Sequence, residues 1–258
     1  EIMPSLVGSE MCIRDRLTSG ASIELFEHLV SAYLTSGISG FQPKVLMPDA
    51  DAADAKRVVD KSTTFTSDLI VKAAGENYPF LAQNEFLCMS VARKAGIRVP
   101  DFWLSDDGTL FVMRRFDLAG NEQLGFEDMA VLLRKSAQEK YLSSYETVAQ
   151  MIGLLCGANR TESLARYFEY VALSVLVRNG DAHLKNFGLL YRHPGAAPAE
   201  LAPLYDVVTT SVYAIDDPQS GRKLSDRTLA LKLNRKREYP TRKALLQFGR
   251  TAVSYTHL

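Results

Sequence analysis

The segment TESLARYFEYVALSVLVRN, residues 161–179, repeats apolar side chains at helical spacing and becomes largely apolar in its second half. A helix with so little polar face must end inside a core. Thr161, with Glu162 behind it, is the predicted cap. The chain then runs without a break into NGDAHLKNFGLLY, residues 179–191, and a second aspartate follows in LAPLYDVV. An aspartate, a histidine, a lysine and an asparagine are thus packed between two hydrophobic elements. Polar groups in such a place need partners or a task, because burial without either is costly.

At 258 residues the chain is long enough for one large domain or two lobes. Thirty basic residues balance thirty acidic ones, so bulk charge points neither to a nucleic-acid coat nor to a membrane surface. Cys12, Cys88 and Cys156 are scattered with no CxxC pair, which argues against a disulfide framework or a structural zinc site. No apolar run has the length of a membrane span. A cytoplasmic protein is expected.

SIELFEHLVSAYL, residues 22–34, has helical spacing. TSGISGFQPKVLM turns through two glycines into a short apolar run and reads as strand–turn–strand. SDLIVKAA is a predicted strand. PFLAQNEFLCMSVARKAG is a predicted helix, with Pro79 near its start and Gly96 at its end. IRVPDFWLSDDGTLFVMRRFD reads as two strands joined at Asp106-Asp107-Gly108. After Gly120 the character changes: FEDMAVLLRK, YETVAQMIGLLC and the opening segment are three helical patterns. A hairpin from NFGLLY to ELAPLY comes next. A strand-rich first half and a helix-rich second half imply an α+β protein of two lobes, with a ligand cleft between them.

Asp181 and Asn186 form D-x-x-x-x-N, and Asp206 follows twenty residues later at the end of a predicted strand. Phosphoryl transfer requires a carboxylate to orient or deprotonate the attacking hydroxyl, and hard oxygen ligands for magnesium on the nucleotide phosphates. The bland alternative is a polar turn capping the long helix, with Asp206 on the surface. Lys72 closes the apolar run LIVK, and Glu85 lies thirteen residues on in a predicted helix, where it could hold the ammonium. This order of parts is that of a kinase. Alternatively, Lys72 snorkels at a strand end and Glu85 lies on a solvated face. Gly37 and Gly40 allow backbone amides to approach phosphate oxygens, or simply make a turn.

SGISGFQPKVLM, LIVKAA, NEFLCMSVARKAGIRVPDF, FVMRRFD, FEDMAVLL, RNGDAHLKNFGLLY and LAPLYDVV, in this order, resemble the HipA family of bacterial serine/threonine kinase toxins. LALKLNRKREY resembles the family's stretch after the metal aspartate, so the match runs from about residue 36 to 240. The short segment before the glycine loop suggests the compact HipT-like branch.

The resemblance implies a two-lobed, protein-kinase-like α+β fold. Residues 17–117 would be the strand-rich N-terminal lobe and 118–251 the mainly helical C-terminal lobe, truncated at its end. SLVGSEMCIRDR and the terminal VSYTHL resemble translated sequencing-adapter strings, so residues 1–16 and 252–258 are set apart as of doubtful native origin. Asp181 would be the catalytic base, Asn186 and Asp206 would bind Mg2+, and Lys72 the ATP phosphates. Arg114, Arg115 and Phe116 would be the hinge beside adenine, and His183 stands where the family pattern has histidine. Ser39 matches the second serine of the HipT-like SIS pattern, whereas Gly37 occupies the place usual for the self-phosphorylated serine, so Ser39 is the expected autophosphorylation site.

The implied activity is phosphorylation of an aminoacyl-tRNA synthetase by the toxin of a type II toxin–antitoxin pair. The implied partners are a helix-turn-helix, HipB-like antitoxin and a third small HipS-like protein. DNA would be met only through the antitoxin, and no membrane is involved. Two other readings stay open: a small-molecule phosphotransferase, and a nucleotide-binding module that acts through a DNA-binding partner.

Overall fold

The computed structural model describes residues 44–47, 69–73, 78–119, 122–193, 198–216, 223–225 and 227–254. The chain divides into two compact units, one of Glu1–Phe86 with Asp101–Arg115 and the other of Leu87–Pro100 with Phe116–Leu258. The helix predicted over 22–34 and the glycine turn lie outside the described residues.

The first unit is built on a four-stranded antiparallel sheet. Strands β1 (Lys44–Met47), β2 (Leu69–Ala73), β3 (Phe102–Leu104) and β4 (Leu110–Arg114) lie in the order β1-β2-β4-β3. Leu110, Phe111, Val112 and Met113 of β4 are all buried, as expected of a central strand covered on both faces. The turn between β3 and β4 places Gly108 at φ +74, and the Asp107 carboxylate accepts from the Thr109 N–H and both neighbouring hydroxyls. That is the aspartate–glycine chemistry the hairpin required. Helix α1 (Leu81–Lys94) begins in this unit and ends before Gly96, which takes φ +80.

Three helices dominate the second unit: α3 (Tyr145–Leu155), α4 (Arg160–Leu176) and α5 (Arg242–Ser254), with a single-turn α2 (Met129–Leu132) before them. Their shared core is aromatic. Tyr167 meets Phe187 and Phe248 edge-on, and Phe187 meets Tyr145 in the same way. The phenols of these buried tyrosines are not left unmet, since Tyr167 donates to the Tyr145 carbonyl and Tyr170 to that of Ala202. Burial pushes all three phenols above the usual range.

Two sequence expectations change here. The pattern FEDMAVLLRK is not one helix: Gly125–Asp128 form a strand that pairs with Gly188–Tyr191, and only Met129–Leu132 coil. Pairing of Phe126 and Glu127 with Leu190 and Leu189 outweighs their helical spacing, a tertiary effect that propensity does not contain. Helix α4 begins at Arg160 with Asn159 at the cap position, so Thr161 lies inside its first turn.

The sheet of Gly125–Asp128, Gly188–Tyr191 and Glu200–Leu201 has the middle segment in the centre, and the expected hairpin after the polar cluster is its outer half. A Cβ on Gly188 would meet the Phe126 ring at 2.3 Å and the Glu127 carbonyl at 3.1 Å. Gly188→Ala is therefore expected to cost about 1–3 kcal/mol by overpacking. Urea unfolding checks this; an unchanged midpoint would mean that the ring moves aside freely.

Candidate active site

Helix α4 delivers the chain to the polar cluster. Its end is closed by Arg178 at φ +57 and by the Asn179 N–H donating to the Ser174 carbonyl. This is a left-handed stop that usually uses glycine. Here the arginine packs its guanidinium 4.5 Å from the centroid of Tyr239, which helps offset the backbone cost. The Gly180 N–H then donates to Thr210 Oγ1, and the Asp181 N–H to Asn179 Oδ1.

Asp181 stands with its carboxylate 17% exposed, so solvent reaches it. Its Oδ1 accepts from the Tyr141 hydroxyl at 2.6 Å and lies 4.0 Å from His183 Nε2. The backbone beneath is pinned from the core, because buried Tyr145 donates to the Ala182 carbonyl at 3.1 Å. His183 is buried against the edge of the Tyr141 ring, 5.2 Å between centroids.

Leu184–Asn186 form one tight 3-10 turn that carries Asn186 back toward the start of the loop. Asn186 Oδ1 accepts from the His183 N–H at 3.1 Å, and Asn186 Nδ2 donates to Asp206 Oδ2 at 3.1 Å. Residues twenty apart in sequence are thus joined. Asp206 is not at a strand end, as the sequence suggested: the strand stops at Leu201, and Asp206 lies in irregular chain at φ +60. A left-handed aspartate is tolerated but uncommon, and such positions concentrate at functional sites. Beside it, half-buried Tyr205 donates to the Lys185 carbonyl and stacks on Phe116 at 5.1 Å. Lys185 in turn pairs with Asp128 at 2.9 Å.

The donor set suits a hard cation. Asp206 would supply a carboxylate, and the Asn186 amide, whose Oδ1 here accepts from the His183 N–H, would supply a carbonyl oxygen once turned about. Magnesium is typically held by one or two side chains, with phosphate oxygens and water completing the shell. Among the described residues no group of three or more His, Cys, Asp or Glu is arranged to hold a metal.

In the first unit, Lys72 and Glu85 are each 1% exposed, and Lys72 Nζ donates to Glu85 Oε1 at 2.5 Å. Lys72 pairs with Phe111 across the sheet, and its ammonium lies 5.5 Å from that ring centroid. Arg114 sits at the end of β4, 3.9 Å from Asp101 and over the Trp103 ring. Arg115 is half-buried, and the two units divide between it and Phe116. Gly37, Ser39 and Gly40 lie outside the described residues. Sequence spacing gave no sign of Tyr141, forty residues before the aspartate it touches.

Strands and helices in this arrangement define a protein-kinase-like α+β fold. The crystal structure of the Shewanella oneidensis HipA, HipB and operator DNA complex includes a chain that superposes with a TM-score of 0.61 at 19% identity, over 84% of this chain and 52% of that one. The family of the HipA-like C-terminal domain matches residues 36–256, and the chain belongs to that family. The serine/threonine-protein kinase toxin HipA of Shewanella oneidensis is 25% identical over 210 residues, 73% of this chain and 46% of its own. A Haemophilus influenzae protein named "Putative kinase" is 31% identical over 199 residues, 68% and 53% of the two chains. The chain thus spans about half the length of these relatives. No helix among the described residues is long and apolar enough to cross a membrane.

Proposed function

We propose that the chain is the catalytic part of an ATP-dependent serine/threonine protein kinase and acts as the toxin of a toxin–antitoxin pair. The observation that carries this reading is the Asn186–Asp206 contact, five residues beyond a solvent-reachable Asp181 on the same loop. Asp181 orients the acceptor hydroxyl and takes its proton as the phosphoryl group arrives. Asn186 and Asp206 hold Mg2+, which, when bound, offsets charge on the nucleotide phosphates. Lys72, held by Glu85, meets those phosphates, and Gly37, Ser39 and Gly40 cover them. Arg114, Arg115 and Phe116 pass beside the adenine, and His183 packs the loop that carries Asp181.

Family membership supports an aminoacyl-tRNA synthetase as substrate, a HipB-like helix-turn-helix antitoxin as partner, and DNA contact only through that antitoxin. A third HipS-like protein completes the complex in the compact branch. The work of such a toxin is cytoplasmic.

The test is incubation with Mg2+ and γ-labelled ATP, first alone and then with a purified synthetase panel and a panel of small hydroxylated acceptors. Magnesium-dependent label in a protein band supports the reading. Label passing only to small molecules would replace it with a small-molecule phosphotransferase, and nucleotide binding without transfer would leave a module acting through its partner.

Ser39 is the expected self-modified residue. A phosphate there adds nearly two negative charges where the ATP phosphates belong, and so silences the enzyme. Mass spectrometry after the same incubation should find Ser39 modified; phosphate confined to another serine would refute the assignment.

A further inference from the structure

We propose that Tyr141 is a positioning residue for the reaction, its phenol holding one oxygen of the Asp181 carboxylate so that the other is presented to the acceptor hydroxyl. This rests on the reading of Asp181 as the orienting carboxylate. At 2.6 Å the bond from Tyr141 Oη to Asp181 Oδ1 is short, in the range of hydroxyl donors to an ionised acceptor. A phenol is a donor at neutral pH. An aspartate swings about two side-chain torsions, so one strong bond to Oδ1 sets the plane in which Oδ2 lies.

The tyrosine is itself braced. Arg237 Nη2 donates to the Tyr141 carbonyl at 2.7 Å, and the Leu184 N–H, within the loop that bears Asp181, donates to the Lys140 carbonyl at 3.1 Å. Two residues on, the Lys232 N–H donates to the Ser143 carbonyl. The ring stands edge-on to His183, and the Lys140 ammonium lies 5.0 Å from its centroid. The hydroxyl is therefore delivered by backbone tied on one side to the loop of Asp181 and on the other to the hairpin strands Thr228–Leu233 and Lys236–Glu238. A tyrosine meant only to fill space would not need its hydroxyl aimed at the carboxylate of that loop.

The experiment compares wild type, Tyr141→Phe, Asp181→Asn and the double variant, using Mg2+ and ATP alone. Phosphate release and label incorporated into the chain are followed. Tyr141→Phe keeps the ring and is expected to lower kcat about 10-fold, while KM for ATP stays within about 2-fold, because orientation and not nucleotide binding is lost. Its melting temperature should match wild type. On the Asp181→Asn background the same change should cost less than about 2-fold, since the phenol acts through the carboxylate.

An unchanged kcat in Tyr141→Phe, with Asp181→Asn inactive, would overturn the positioning role and leave the kinase reading intact. A rise in phosphate release would overturn it in favour of a hydroxyl that blocks the acceptor's place. A Tyr141→Phe variant that fails to fold would assign the hydroxyl to the scaffold. Wild-type protein without transfer, or Asp181→Asn with full turnover, would instead sink the reading on which the proposal stands.

Discussion

Asp181→Asn should reduce phosphoryl transfer about 10²- to 10⁴-fold, the usual loss when a positioned base is removed, with ATP affinity within about 3-fold of wild type. The amide has the shape of the carboxylate but cannot take a proton or bear the charge that attracts the acceptor hydroxyl. Nothing else in the loop should move much. Its Asp181 N–H is held by Asn179, its Ala182 carbonyl by Tyr145 and its far end by Asn186 and Asp206. Initial rates with Mg2+ and ATP, and calorimetric titration with nucleotide, separate the two quantities. Turnover near wild type would take Asp181 out of the mechanism.

The second large effect concerns Lys72→Met. Breaking a buried ion pair from one side costs about 3–5 kcal/mol, because the remaining charge is stranded without its partner. Glu85, 1% exposed, would be that stranded group. Replacing both residues, as Lys72→Met with Glu85→Leu, should recover most of the stability, since apolar side chains of similar volume often substitute for a buried pair without loss. Nucleotide binding should stay lost in both variants. Denaturant unfolding and ATP titration on the same two proteins check the pattern. Nucleotide binding that returned with stability would make the pair a structural feature alone.

Much of the scaffold was legible because it rests on local rules. The β3–β4 turn follows from an aspartate and a glycine that stabilise a tight bend, and α1 ends where Gly96 can take a positive φ. For Lys72 and Glu85 the sequence offered two readings, an ion pair or a snorkelling strand end beside a solvated helix face, and their burial and 2.5 Å contact decide for the pair. FEDM was misread because its spacing fits a helix equally well. Its strand partner, residues 188–191, lies about sixty residues on, and no window of sequence contains both. Asp206 was misplaced for a related reason: its left-handed backbone goes with a contact from Asn186 to its carboxylate and an anchor from Tyr205 to the Lys185 carbonyl, both some twenty residues away in sequence.

What the sequence by itself determined is therefore the inventory and order of chemical groups, together with the elements whose start and stop are written in adjacent residues. Which groups touch was decided by tertiary structure: the Asn186 amide against Asp206, the Tyr141 phenol on Asp181, Phe116 stacked on Tyr205. The physical reason is range. Backbone propensity and capping act over a turn or a hairpin, whereas a hydrogen bond between residues twenty or forty apart forms only after a buried aromatic core has fixed the backbone that carries them.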